Sequence, residues 1–204
     1  MFATDSKEYM LLKKLNTPEK IQTFLDQIPL NHEVDGVTCF SPARVLREQR
    51  AHCIEGAFLA GVCLMIQGEK PLIVSLKARK GDDDHIVTLF QKNGYYGALS
   101  KTNHLTLRYR DPVYRTVREL VMSYFHEYFL TKTGKKMLVG YTDPINLRKY
   151  GTKWVTAEED LWDMGNDIYR APFHSVIPKG NEQFIRPAPH FERSGNHIVE
   201  WPLG

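Results

Sequence analysis

An α+β fold is predicted for this chain, with a central cysteine-bearing helix packed on an antiparallel sheet. Three stretches of sequence predict it. Residues 53–67 carry Ile54, Gly56, Ala57, Phe58, Leu59, Ala60, Val62, Cys63, Leu64 and Ile66, so apolar and small side chains lie almost all round the helix, which marks a buried one. Residues 71–76 (PLIVSL) and 85–90 (HIVTLF) are short β-branched apolar runs separated by the loop ARKGDDD, and both have the length and composition of strands. Asn93 and Gly94 then form a two-residue hairpin signal that returns residues 95–99 alongside the His85 strand.

The remaining elements follow from caps and breakers. Thr17 with Pro18 supplies an N-cap and a first helical position, and Ile21, Phe24, Leu25 and Ile28 repeat at helical spacing until Pro29. Ser41 with Pro42 starts another helix through Val45 and Leu46, with a further start near Ala51 and a C-terminal cap for the central helix at Gly68. Residues 105–109 alternate as a strand does, and Asp111 with Pro112 is expected to open a long helix through Val117, Leu120, Val121, Tyr124 and Tyr128. Beyond Gly134 prolines interrupt the chain repeatedly and all three tryptophans occur, which suggests an irregular extension, with a short helix over 157–164. The expectation is one domain, its core at about residues 17–131 and a wrapping segment at 134–204.

A length of 204 residues suits one domain, and 42% hydrophobic with 25% charged residues is the balance of a folded globular chain rather than a disordered one. No apolar stretch reaches membrane-span length, and the first sixteen residues lack the apolar segment and cleavage site of a signal peptide, so a cytoplasmic protein without membrane contact is expected. A net charge of +3 without a Lys/Arg block gives no reason to expect nucleic acid. Three cysteines with no CxxC pair describe neither a disulfide framework nor a structural zinc site, so each is a free thiol.

Of the three, Cys53 is placed for chemistry. It falls at the start of the buried helix, where free backbone N–H groups and the positive end of the dipole favour a thiolate, whereas Cys39 and Cys63 fit core positions. Small residues one turn on, Gly56 and Ala57, are expected to leave room for a substrate backbone. His85 opens a strand behind Asp82, Asp83 and Asp84, at a strand end that can face the helix N-terminus, as the base of a thiol–imidazole pair. A third group must accept the other imidazole N–H, and no carboxylate lies between His85 and Asp111. Asn103, just beyond the return strand, is the choice; Asp111 is the alternative, although its position before Pro112 suits a helix N-cap. Gln49, one turn before Cys53, is the nearest side-chain amide for an oxyanion. His52 would point elsewhere on a helix unless the helix starts after it. The aspartate run with His85 lacks the alternating spacing of a calcium loop, and no metal site is assigned.

The segments AHCIEGAFLA, DDDHIVTLF and NGYYGALSKTNH, spanning residues 41–104 with their flanks, resemble the transglutaminase-like superfamily in the chain order Cys, His, Asp or Asn. The resemblance implies a papain-like core in which the cysteine helix packs on an antiparallel sheet bearing the histidine and the third residue. It also implies cysteine-dependent acyl transfer or amide hydrolysis on a peptide or protein substrate, with no cofactor. The pattern departs from the family after Tyr96, where Gly97, Ala98, Leu99 and Ser100 stand and the usual Asp is missing. The alternative function is a catalytically silent module of the same fold that binds a peptide or protein segment.

Overall fold

A computed structural model describes residues 1–203. Helices gather at the start of the chain: α1 (Lys7–Lys14), α2 (Pro18–Gln27), α3 (Pro42–Glu48) and α4 (Cys53–Ile66). Their starts follow the sequence chemistry, with the Ser6, Thr17 and Ser41 hydroxyls accepting first-turn N–H groups and proline at the first position of α2 and α3. α1 has no counterpart among the expected elements, although Ser6 is a good cap and Leu12 is fully buried. Strands β1 (Leu72–Ala78), β2 (His85–Lys92) and β3 (Tyr95–Ser100) follow as read from the apolar runs, and Asn93 and Gly94 both take positive φ, as the tight hairpin between β2 and β3 requires.

The chain then departs from expectation. Residues 105–109 form no strand, and Asp111 and Pro112 lie in β4 (Arg110–Tyr114) rather than opening a helix. β4 is an edge strand of the sheet, where a residue without an N–H is tolerated, and the helix that follows is the short α5 (Val117–Met122), capped by Thr116. Leu120, Val121, Tyr124 and Tyr128 are all buried even so, because turns carry residues 123–127 along the same face. The apolar spacing recorded burial correctly and the element type wrongly.

The C-terminal third is more regular than an irregular wrapping segment. It supplies β5 (Leu138–Thr142), β6 (Ile145–Asn146), α6 (Trp162–Arg170), β7 (Phe173–Ser175) and α7 (His190–Gly195). The helix expected over 157–164 is displaced to α6, which begins only at Trp162. β5 pairs directly with β1, so the antiparallel sheet runs β4-β3-β2-β1-β5-β7, with β6 also on β1. This is a mixed α+β fold built on one open sheet.

Alternation along the strands divides the core in two. Ile73, Ile86, Phe90 and Leu99 meet the helices, while Val74, Leu76, Val87, Leu89 and Ala98 meet α5, Tyr124, Tyr128 and the β5 side. α4 is buried along nearly its whole length, and its Phe58, Leu59 and Ile54 side chains each contribute roughly 1.5–3 kcal/mol of hydrophobic stabilisation. Phe58 also packs against Trp154 with ring centroids 5.8 Å apart. Gly56 allows the closest approach between helix and sheet: a Cβ there would lie 2.3 Å from the Lys101 Cβ. The small residue expected to admit substrate therefore admits the end of β3. No helix among the described residues is long and apolar enough to cross a membrane.

Candidate functional site

The N-terminus of α4 is fixed by a buried carboxylate. Glu55, fully buried in the first turn, accepts from the His52 N–H (2.6 Å), the Phe40 N–H (3.0 Å), the Thr38 hydroxyl (2.6 Å) and the Asn31 amide (3.3 Å). A glutamate three residues after the cap position is a helix-start signature, here joined to two other segments of chain. The network holds His52 just outside the helix and Cys53 at its first position.

That placement brings an unexpected partner to the thiol. Because the helix starts after His52, its imidazole Nδ1 lies 3.5 Å from the Cys53 Sγ, and the Asp84 carbonyl is 4.0 Å from the same sulfur. Burial pushes the Cys53 thiol pKa up, but the charge and hydrogen bond of His52, and then the hydrogen bond and charge of His85, outweigh it and hold the thiol at about 5. The thiolate in turn raises His52 to about 9 against the opposing effect of burial. The other thiols lack such neighbours: burial pushes Cys63 up to about 12 and raises Cys39 further, with Glu55 and Asp160 adding to the shift of Cys39. All three thiols are buried, and Cys53 alone has neighbours that favour its thiolate.

His85 begins β2, and its Nε2 lies 2.8 Å from the Ser100 Oγ. Side chains two apart share a face of a strand, and Ser100 is paired with Val87, so Ser100 sits diagonally across from His85 on one face of the sheet. The Ser100 hydroxyl proton is directed to the Leu107 carbonyl at 2.7 Å. Its oxygen must therefore accept from His85, which puts the imidazole proton on Nε2 and leaves Nδ1 unprotonated. Ser100 is itself fixed, since its N–H donates to Gln22 Oε1 and its carbonyl accepts from Gln22 Nε2.

Asn103 does not hold His85. Its amide is committed to the C-terminal segment, accepting from the Glu200 and Trp201 N–H groups and donating to the Trp201 carbonyl. Asn103 lies three residues beyond the end of β3, and Ser100, the last residue of that strand, already occupies the position beside His85. Asp111 lies on the exposed edge strand, and Gln49 is turned away in the left-handed conformation that ends α3, its amide donating to Leu46 and its side chain lining a different cleft.

Cys53, His52, His85, Lys101, Asn103 and Tyr128 line one small cavity of about 150 Å³, together with the Asp82–Asp84 loop. Lys101 is a buried cation whose ammonium donates to the Ile28 carbonyl, and burial holds its pKa down near 8. The aspartate loop serves structure: the Asp84 carboxylate accepts from Lys77, the Ala78 N–H and the Ser75 hydroxyl, and the Asp83 carbonyl accepts from Tyr128. Among the described residues no group of three or more His, Cys, Asp and Glu is arranged to hold a metal ion.

The sequence reading set His52 aside unless the helix started after it, as it does, and missed Glu55 and Ser100. The spacing of Glu55 after His52 was a visible signal, and Ser100 ends a strand whose pairing with β2 was legible; the tautomer argument needed Leu107, which no local pattern brings to Ser100. A comparison with protein-family models finds no match for this chain, and no curated protein matches it.

Proposed function

We propose that this protein carries out cysteine-dependent acyl transfer or amide hydrolysis, with Cys53 as nucleophile, His85 as base and Ser100 as the residue that orients the base. The observation that carries this reading is the directed chain His85, Ser100, Leu107, which lies beside Cys53 in one cavity. A carbonyl at its far end fixes the Ser100 proton, and that fixes the imidazole tautomer with Nδ1 unprotonated and able to serve as a base. The resemblance of the sequence to the transglutaminase-like superfamily supports it through the chain order of Cys53 and His85, while Ser100 stands in the stretch after Tyr96 where the usual Asp of that pattern is missing.

In the reaction the Cys53 sulfur forms a bond to the acyl carbon. The proton that Cys53 gives up is taken on at the bare Nδ1 of His85, which passes it to the departing amine or alkoxide as the carbon–nitrogen or carbon–oxygen bond breaks. Water or an amine then attacks the thioester, giving its proton back to His85 and releasing the sulfur. The Cys53 backbone N–H, free at the first turn of α4, is the donor nearest the developing oxyanion. His52, 3.5 Å from the sulfur, favours the ionised thiol by its charge and hydrogen bond.

The test is labelling with peptide vinyl sulfones, which trap an activated thiol. One adduct per chain at Cys53, absent in Cys53→Ala and slowed at least tenfold in His85→Ala, supports the reading. Labelling of Cys53 that is indifferent to His85→Ala refutes it in favour of a binding module with an ionised but idle thiol.

A further inference from the structure

We infer that the segment 101–108 at the mouth of the Cys53 cavity is a docking edge for an extended peptide that presents a carboxylate followed by an aromatic ring, and that the chain's own Val199, Glu200 and Trp201 occupy it. Asn103 recognises backbone rather than side chain: its Oδ1 accepts from the Glu200 N–H at 3.1 Å and the Trp201 N–H at 2.8 Å, and its Nδ2 donates to the Trp201 carbonyl at 3.0 Å. A single amide with three bonds to two successive residues is how an extended chain is captured whatever its sequence. His104 and Val199 form an antiparallel bridge beside it, so the two segments run antiparallel at that point.

Two cations then read side chains. Arg108 pairs with the Glu200 carboxylate at 2.5 Å, and the Lys101 ammonium lies 5.7 Å from the centre of the Trp201 ring. Asn103 and Lys101 both line the Cys53 cavity, which joins this edge to the thiol. The indole N–H of Trp201 is buried with no acceptor, so the resident segment fits its seat imperfectly, as an occupant that gives way to a better one would. Tethered in the same chain, such a segment acts at an effective concentration on the order of millimolar and suppresses weaker ligands until displaced.

This inference deepens the acyl-transfer reading by naming the class of peptide that docks, and its test measures binding, so the two can fail separately. The probe is a labelled peptide of residues 198–203, titrated by anisotropy into the full-length protein and into full-length Glu200→Gln/Trp201→Ala. The double variant should bind it about tenfold more tightly than wild type, because its own segment competes less. A control peptide carrying the same two replacements should bind the double variant about tenfold more weakly than the probe. Equal affinities for both proteins, or for both peptides, would overturn the proposal. Full-length Arg108→Gln supplies an independent reading: amide exchange at residues 199–201 should quicken about tenfold, and unchanged exchange would count against the seat. Bound probe should also slow alkylation of Cys53, and binding without that protection would overturn the link between edge and thiol.

Discussion

The His85 Nε2 lies 2.8 Å from a Ser100 hydroxyl whose own proton is directed to the Leu107 carbonyl. A serine in this arrangement can only accept, so it orients the imidazole as a carboxylate or amide would, although with less charge to stabilise the imidazolium.

Ser100→Ala should therefore slow labelling of Cys53 by about tenfold without abolishing it, since a misoriented base still visits the productive rotamer. Ser100→Asp should restore part of the loss if the carboxylate is accommodated. Second-order rate constants for the vinyl sulfone at pH 7 check both, and a wild-type rate in Ser100→Ala would remove Ser100 from the site.

Glu55→Ala should cost on the order of 3 kcal/mol, because it strands buried donors from Asn31, Thr38, Phe40 and His52 around an empty space. Denaturant unfolding measures this. The loss should be accompanied by slower Cys53 labelling, as the start of α4 loosens.

Gly56→Ala places a Cβ 2.3 Å from the Lys101 Cβ and should destabilise the fold by about 1–3 kcal/mol, pushing the end of β3 away from α4. Gly68→Ala is the contrast. No atom would meet its Cβ, so only the strain of a positive φ remains, and the loss should be about 1 kcal/mol. Thermal melts of the two variants distinguish clash from strain.

Cys63→Ser puts a hydroxyl at a fully buried position in α4 and should cost about 1–3 kcal/mol while leaving Cys53 labelling unchanged in the folded protein. Loss of labelling in that variant at a temperature where it stays folded would make Cys63 part of the site.

The layers of this molecule differed in how far the sequence exposed them. α4, the strands β1 to β3 and the Asn93–Gly94 turn were legible because each is determined by local chemistry: an all-round apolar helix, β-branched runs, and a dipeptide suited to positive φ. Cys53 and His85 were legible from their positions at the ends of those elements. The long helix expected after Asp111 failed because its apolar spacing satisfies burial equally well as an edge strand, a short helix and a series of turns. Asn103 was chosen for lack of a carboxylate, whereas the bond is made by a hydroxyl that becomes an acceptor only once Leu107 has taken its proton. His52 was set aside on the assumption that the helix included it. The exact start of α4 is decided by Glu55 binding Thr38 and Phe40, contacts between segments that periodicity does not record.

The central claim is that Cys53 rests as a thiolate beside imidazolium and is thereby armed. Lowering the pKa of an acid means that its charged form persists to lower pH, so reactivity should stay high from neutral pH downward and fall only as pH drops through about 5. The most direct test is the rate of Cys53 alkylation by iodoacetamide from pH 4 to 10, read by mass spectrometry of the Cys53 peptide. The account predicts a midpoint near 5, moved upward in His52→Ala because the largest favourable charge is gone, with His85→Ala producing a smaller upward shift. A wild-type midpoint near that of a free thiol, about 8.5, and unmoved by either substitution, would contradict it.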